Sequence, residues 1–541
     1  METPTTSASN APSSAVQPSA WAPFGQSTFT ILWLATVLSN VGTWMHDVGA
    51  GWLMTVLSPT PIVVAAVQAA TTLPVFMFAL LAGAVADIVD RRRLLIITNV
   101  FMAVVAACLA VMVSLDLVTP LILLTFTFLL GAGAAFMAPA WQAIVPSLVP
   151  RPQLSAAIAL NSMGINVSRA IGPALAGFLI VAVSLAAPFA VNAVSFIGII
   201  LALLWWRPTS EKESLLPPER VGSAIVVGLR YALNSGPLRA TLVRAAAYFL
   251  FASALWSMLP LIARVVLKGD ATLYGLLLTS VGVGAVLGAF LMPQIKSTLG
   301  SNGTVAVGSI ATAIVLTVLA LFPQKYVAIF AAACAGLSWI GVLSSLQVST
   351  QMALPNWVRA RGLSIYLTIF FGSMTIGSLL WGQIATISSI QTSLLIAAIG
   401  VVIFIPLTWS FKLDQGEALD HAPSMHWPAP IASDQGTPDR GPVMIQVKYL
   451  IAADDRNTFV ALLNELAGER RRHGGYSWSL MQDTDDPLSY VETWYEPSWV
   501  DHLRHHERVT GSDSKKQAQV IALHRGSEPP VVKHFISANS K

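Results

Sequence analysis

The chain has 541 residues, 55% of them hydrophobic and 11% charged, against about 25% charged in soluble domains. Its formal net charge of +4 is small for that length, and no basic stripe is concentrated on one element, which excludes a nucleic-acid partner. The two cysteines, Cys108 and Cys334, fall inside long apolar segments and suggest packing residues rather than a disulfide or a metal site.

The first 26 residues are rich in Ser, Thr, Pro and Ala and carry no Lys or Arg. A secretory signal needs a positive start and an apolar core, so residues 1–26 are expected to be a disordered tail. Apolar segments then follow at 28–55, 62–86, 94–115, 119–140, 156–183, 186–206, 239–265, 272–294, 303–322, 325–350, 361–386 and 389–411. Each is about 20 residues or longer, enough for a helix to cross a bilayer core of about 30 Å. Twelve membrane helices are therefore expected.

Positive charge sets the orientation. With a cytoplasmic amino terminus, the inner loops hold Arg91, Arg92, Arg93, Arg151, Arg207, Lys212, Arg220, Lys296, Arg359, Arg361 and Lys412. The outer loops have little beyond Arg264, Lys268 and Lys325. Both termini are expected in the cytoplasm.

Between spans two and three lies Gly83-Ala-Val-Ala-Asp87-Ile-Val-Asp90-Arg91-Arg92-Arg93. An acid one turn after a small residue, followed by arginines at the membrane surface, is a gating pattern. A plain positive anchor would explain Arg91 to Arg93 but not Gly83 and Asp87. Asp87 can stabilise the amino end of a neighbouring helix or pair with an arginine when the inner side is closed.

Two charges sit inside spans. Asp47 lies on the outer part of span one, next to His46, and a carboxylate there must face protein or water. It is a candidate for proton coupling, set against an acid solvated near the helix end; His46 reads as structural. Arg169 lies deep in span five, with Asn161, Ser162 and Asn166 nearby. Asn166 and Arg169 are three apart and share a face. Arg169 reads as a wall of a substrate cavity or one side of a switched ion pair, against a structural arginine. Gly172, Pro173 and Gly177 suit a hinge or sliding contact, or ordinary close packing. Tryptophans 33, 44, 52, 256, 339 and 381 suit a cavity wall less well than belt or packing roles.

After Arg220, Val221, Ala224, Ile225, Leu229, Ala232 and Leu233 recur at helical spacing, as in a helix lying on the inner membrane surface. Residues 207–238 thus divide a six-span bundle at 27–206 from another at 239–412. The halves echo each other. Pro146-Ser-Leu-Val-Pro-Arg151 enters span five and Pro355-Asn-Trp-Val-Arg359 enters span eleven, each leading to a glycine-bearing stretch. Such parallel repeats place a substrate site between the halves near the midplane.

A linker rich in Asp, Pro and Gly occupies 413–441, and 442–541 changes character. Strands are expected at 443–451, 476–482, 489–495 and 531–536, and helices at 454–473 and 498–508, with Ser498 as N-cap. The order βαββαβ is ferredoxin-like. His502, His505 and His506 raise the question of a metal, since His502 and His506 are four apart on a helix. The surroundings lack the Cys or acid pattern of a firm site, so a solvated helix face is expected and no metal ligand is assigned.

Gly83, Asp87, Arg91 and Arg92 resemble the signature loop of the major facilitator superfamily, with Ile88 where the family usually has a basic residue and Asp90 where it usually has Gly. Leu160-Asn161-Ser162, Asn166, Arg169 and Gly172-Pro173-Ala-Leu-Ala-Gly177 resemble the branch of enterobactin exporters and macrolide efflux proteins. The segment Ser498-Trp499 to Arg508 is similar to the extension of the transmembrane secretion effector subgroup, whose fold order resembles antibiotic-biosynthesis monooxygenases. The resemblance implies an all-α membrane fold of two six-helix bundles plus a small α+β domain. It implies a proton antiporter exporting an amphipathic small molecule of siderophore or drug class across the bacterial cytoplasmic membrane, with no cofactor and no enzymatic activity. Its partners would be substrate, protons and the bilayer. The tail's role stays open between dimerisation, sensing and handing product to the pore. A membrane-tethered oxygenase and a transporter-like sensor are the alternatives.

Overall fold

The computed structural model describes residues 19–207, 221–355, 357–413 and 440–538. The first 18 residues of the expected tail, the loop 208–220 and most of the linker (414–439) lie outside the described residues. Within 19–26 the tail expectation is corrected. Ala22–Gly25 form a tight turn, and Phe24 packs edge-on against Trp33 at 5.0 Å.

The first bundle comprises α1 (Ser27–Leu57), α2 (Pro61–Ile88), α3 (Arg91–Ser114), α4 (Pro120–Ile144), α5 (Leu154–Ala182) and α6 (Ala187–Trp205). Then come α7 (Val221–Asn234) and the second bundle, α8 (Gly236–Leu261), α9 (Ala271–Leu321), α10 (Lys325–Met352), α11 (Arg359–Ile387) and α12 (Ile390–Leu407). Among the described residues, ten helices are long and apolar enough to cross a membrane. That set counts α9 once and omits α1, whose apolar run is diluted by Ser39, Asn40, Thr43, His46 and Asp47.

At 51 residues α9 is too long for one crossing, at about 1.5 Å per residue. It breaks at Gly300, where φ is +63°, a left-handed conformation that costs glycine nothing. Met292 before the break and Thr304 after it both flank Gly341 of α10, so the two parts of α9 run antiparallel as two crossings. Counting α1 and both parts of α9, the described residues supply twelve candidate crossings.

Proline or serine and threonine groups punctuate the ends. Thr119 and Ser389 cap α4 and α12 by accepting from Ile122 and Thr392 amides. Asp90 caps α3, its carboxylate accepting from the Arg93 amide at 2.7 Å, which gives a local reason for the acid at that position.

The core is unevenly shared. At the face far from the chain termini, Met45, Val48, Leu123 and Phe189 of the first bundle share one apolar cluster with Leu259, Tyr274, Leu277 and Trp381 of the second. Toward the terminal face each bundle has its own cluster. One holds Phe29, Leu95, Phe196 and Leu203; the other holds Tyr248, Phe249, Trp339 and Tyr366.

α7 forms as expected, but it lies against protein. Val227, Tyr231 and Ala232 are buried, whereas Leu229 and Leu233 are exposed. It packs on α8, α11 and the soluble domain, and the Tyr231 hydroxyl donates to the Ala353 carbonyl after α10 at 3.0 Å.

The soluble domain runs β1 (Val443–Leu450), α13 (Arg456–Arg472), β2 (Tyr476–Gln482), β3 (Ser489–Glu496), α14 (Trp499–Arg508), α15 (Gly511–Ala522) and β4 (Val531–Ile536). The antiparallel sheet has the order β2-β3-β1-β4. Val443, Ile445, Val447 and Tyr449 alternate onto the face covered by Phe459, Leu463 and Leu466 of α13, as a period of two requires. α15 is an addition to the expected order. It starts with a capping box between Thr510 and Asp513.

Candidate functional site

The bundles meet along two seams of small residues. On the first, α5 approaches α9 through Gly177, where a Cβ would come within 2.7 Å of the Ala271 carbonyl. Facing it, a Cβ on Gly275 would collide with the Pro173 carbonyl, and one on Gly282 would lie 3.0 Å from the Arg169 carbonyl. On the second seam, α2 meets α11. Thr72 and Thr375 hydroxyls hydrogen-bond at 2.7 Å, and the Ile62 amide donates to Thr386 at 3.0 Å. Gly382 faces Ile62 and Ala65, and Gly372 faces Phe76. Such contacts permit close backbone approach in an environment without a hydrophobic drive between helices.

The α5 residues sit where both α1 and α9 reach them. Ser168 donates to the Val37 carbonyl at 3.1 Å. Gly172 admits Trp44, since a Cβ there would be 2.6 Å from the Trp44 Cβ. The Arg169 guanidinium stacks on the Trp44 ring at 5.3 Å, and its buried Nε has no hydrogen-bond partner among the described residues. A half-buried cation with a buried, unmet donor is suited to receive an acceptor or an anion.

Asp47 lies three residues after Trp44 on α1, hence on the same side. Among the described residues no ion pair or hydrogen bond reaches its carboxylate. Tyr274 of α9 packs one turn further on, with its hydroxyl against Gly51 and its ring stacked on Trp52 at 6.4 Å. His46 is buried edge-on to Phe189 at 5.1 Å, so it points away from that group.

Asn161 and Asn166 do not join this cluster by contact. Asn161 accepts from the Trp141 indole of α4 at 3.1 Å, and Asn166 donates to the Ser162 carbonyl at 2.9 Å.

In the α2–α3 turn, Gly83 lies near the Ser364 hydroxyl of α11. The Asp87 and Ile88 side chains lie outside the described residues. Arg92 donates to the Leu203 and Leu204 carbonyls at 2.8 and 2.7 Å. It thereby caps the end of α6 within one bundle, where a cation is favoured.

Sequence reasoning passed over Arg244 of α8. It is buried, donating to the Asn302 side chain at 2.9 Å and the Thr408 carbonyl at 3.3 Å. An arginine five residues into a span was the available signal.

The soluble domain docks on the second bundle. Arg230 of α7 donates to the Gly474 carbonyl at 2.8 Å. Trp357, between α10 and α11, stands among Tyr231, His473 and Arg508. The solvated histidine face expected on α14 is corrected: His502 and His505 are buried, both held by the Glu496 carboxylate of β3 at 2.9 and 2.5 Å. The acid absent from the local pattern comes from a neighbouring strand. Burial pushes the His505 imidazole down to about 4 against the pull of Glu496. The two histidines outweigh burial at Glu496 and hold it well below the usual carboxylate range.

The family model described as "Transmembrane secretion effector" matches residues 18–541. The "Staphyloferrin A transporter" of Staphylococcus aureus (strain NCTC 8325 / PS 47) is 24% identical over 374 residues, covering 68% of this chain and 92% of that protein. The "Multidrug efflux pump Tap" of Mycolicibacterium fortuitum is 22% identical over 394 residues, covering 70% of this chain and 95% of the relative. Both relatives are transporters rather than enzymes. The crystal structure of the nucleoside transporter NupG superposes with a TM-score of 0.58 at 13% identity, over 71% of this chain and 99% of that one, a likeness of fold.

Proposed function

The chain belongs to the transmembrane secretion effector family of the major facilitator superfamily, and on that premise we propose that it is a proton-coupled exporter of amphipathic small molecules, of siderophore or drug class. It works by alternating access in the bacterial cytoplasmic membrane, with both termini cytoplasmic. The relatives named as a staphyloferrin A transporter and a multidrug efflux pump support the substrate class. The excess of Lys and Arg in the loops of the terminal face supports the orientation.

The observation that carries the reading is the uneven core. A single cluster shared by both bundles closes the far face, whereas separate clusters serve the terminal face. Rocking about the two glycine-rich seams would open one face as it closes the other. With the termini inside, the arrangement is the inward-facing one, ready to load cargo from the cytoplasm. Arg169 and Trp44 present a cation and an aromatic ring to cargo. Asp47, on the adjoining turn of α1, accepts the incoming proton from outside and releases it inside. Gly83, Asp87 and Arg91 gate the inner side, and Arg92 anchors that turn to α6.

The test is a flux assay in inside-out vesicles. Addition of a transported amphipathic compound should dissipate an imposed pH gradient in wild-type vesicles and leave it intact with Asp47→Asn. Equal proton release in both would remove Asp47 from the mechanism.

In the soluble domain, the sheet face opposite α13 carries Met444, Met481, Tyr495 and Phe535, beside Tyr476, whose ring is covered by Arg230 of α7. This surface suits self-association through a second copy of the domain. Cross-linking of Met481→Cys between chains should trap a dimer, and a monomer at all concentrations would refute that assignment.

A further inference from the structure

Three histidines of the soluble domain converge from two elements distant in sequence. His502 and His506 occupy successive turns of α14, and His534 lies on the edge strand β4. One ring nitrogen from each lies within 4.8 Å of the others. The Nε2 atoms of His502 and His506 are 3.2 Å apart. Two nitrogens bound at 2.0–2.1 Å to a tetrahedral ion stand about 3.3–3.4 Å apart. The spacing already present is therefore close to a ligand spacing.

The tautomer is arranged for the same purpose. His502 Nδ1 lies 2.9 Å from Glu496 Oε2. With Glu496 ionised, Nδ1 carries the proton and donates it, which leaves a lone pair on Nε2 facing His506. A carboxylate behind the distal ring nitrogen is the usual way a metal-binding histidine is oriented. Glu496 is itself fixed by the Trp494 indole at 2.9 Å and by His505. The Trp499 ring packs against both His502 and His534, holding two of the three imidazoles in place. His502 is buried while His506 and His534 are half-buried, so the cluster is rigid at its base and reachable from solvent.

We propose that His502, His506 and His534 form a site for one divalent zinc-class ion, with Glu496 as the positioning residue behind His502. Three imidazoles with no thiolate or carboxylate in the ligand set suit Zn2+ and its late first-row neighbours, not Mg2+ or Ca2+. Three protein ligands leave a fourth position for water or an incoming donor group. A hydrogen bond in which His506 Nε2 donates to His502 Nε2 accounts for the 3.2 Å distance without an ion. It gives no reason for His534 to stand beside them, and it makes the opposite prediction for binding.

The probes are Zn2+ and Co2+, added to the full-length protein purified with a histidine-free affinity tag and stripped with chelator. Wild type should bind one equivalent of Zn2+ in competition with a chromophoric chelator. Co2+ should give a visible ligand-field band of tetrahedral intensity that Zn2+ abolishes. His506→Ala and His534→Ala should each weaken binding by at least about tenfold, and Glu496→Gln by about 10- to 100-fold. His534→Gln, on a half-exposed edge position, keeps the test open if a helix variant fails to fold. Zn2+ but not Mg2+ should also protect His502, His506 and His534 of the wild-type chain from chemical acylation, read by mass spectrometry. Absence of stoichiometric binding, unchanged affinity in the His506→Ala/His534→Ala double variant, or acylation indifferent to Zn2+ would each overturn the assignment.

Discussion

The Arg508 guanidinium at the end of α14 lies 4.5 Å from the centre of the Trp357 ring, in the turn that leads into α11. One side chain thus joins the soluble domain to a helix of the α2–α11 seam. Trp357 is also packed against Tyr231 of α7 and His473 at the end of α13. Trp357→Ala removes a cation–π contact of about 0.5–2 kcal/mol, and it should lower the docking equilibrium constant by about twofold to thirtyfold. Hydrogen exchange at β2 and the turn before it should rise in this variant and in Arg230→Ala. Unchanged exchange would mean that the domain is held elsewhere.

The α5–α9 seam has no room for a side chain at Gly177. Gly177→Leu should leave a folded, membrane-inserted protein that transports at least about tenfold more slowly, because the seam cannot close. Fluorescence-detected size exclusion checks folding and vesicle flux checks transport. Wild-type flux with a monodisperse profile would show that the seam does not slide.

Arg169 should not tolerate lysine. The planar guanidinium stacks on Trp44 and keeps donors available, whereas an ammonium is a compact, strongly hydrated charge. Arg169→Lys should raise the apparent KM for cargo more than it lowers the maximal rate. A pure loss of protein stability with normal kinetics would assign Arg169 to packing.

Arg92 is expected to behave differently. Its two bonds to α6 carbonyls belong to the charged class, about 1.5–3 kcal/mol each at most. Arg92→Ala should lower the melting temperature while flux per folded molecule stays normal. A flux defect without a stability change would return Arg92 to the gate.

Much of this was legible before any coordinates. Apolar length disclosed the spans because a bilayer demands it, and the strand alternation around Val443 to Tyr449 disclosed the soluble sheet. Asp90 before α3 and Thr510 before Asp513 were readable caps, yet α15 was passed over because its polar residues give little periodic signal. Long-range partners left no such trace. Nothing local links Arg92 to Leu203, Trp357 to Arg508, or His534 to His502, and these contacts depend on packing between distant elements. The expectation of a solvated histidine face failed for a different reason: Glu496 is only six residues before His502, but it ends β3, and nothing in the local pattern shows that the strand turns its carboxylate back onto α14.

Acid should loosen the soluble domain. Burial, first among the causes, lowers His505 and His534 to about 4 and His506 to about 3. Below the ordinary value of 6.5 the unfolded chain therefore binds more protons than the folded one, and stability falls as pH drops from 6.5 toward 4. Glu469 opposes this. Burial raises it to about 7, so its contribution is present below about 4.5 and is lost as pH rises through 7. Burial lowers His473 as well, and four lowered imidazoles against one raised acid give a net loss in acid. Tryptophan fluorescence melts of metal-free protein should show a transition that rises between pH 4.5 and 6.5; a flat or falling profile would contradict the buried neutral imidazoles.

The most direct measurement is untargeted mass spectrometry of cell extract and medium. Strains to compare are the deletion, its complement, and a complement carrying Asp47→Asn, each grown with and without iron and with a panel of amphipathic compounds. The account predicts a compound retained inside the deletion and Asp47→Asn cells and released by the wild-type complement, with iron dependence marking a siderophore. Identical inner and outer pools in all three strains would contradict export as the function of this chain.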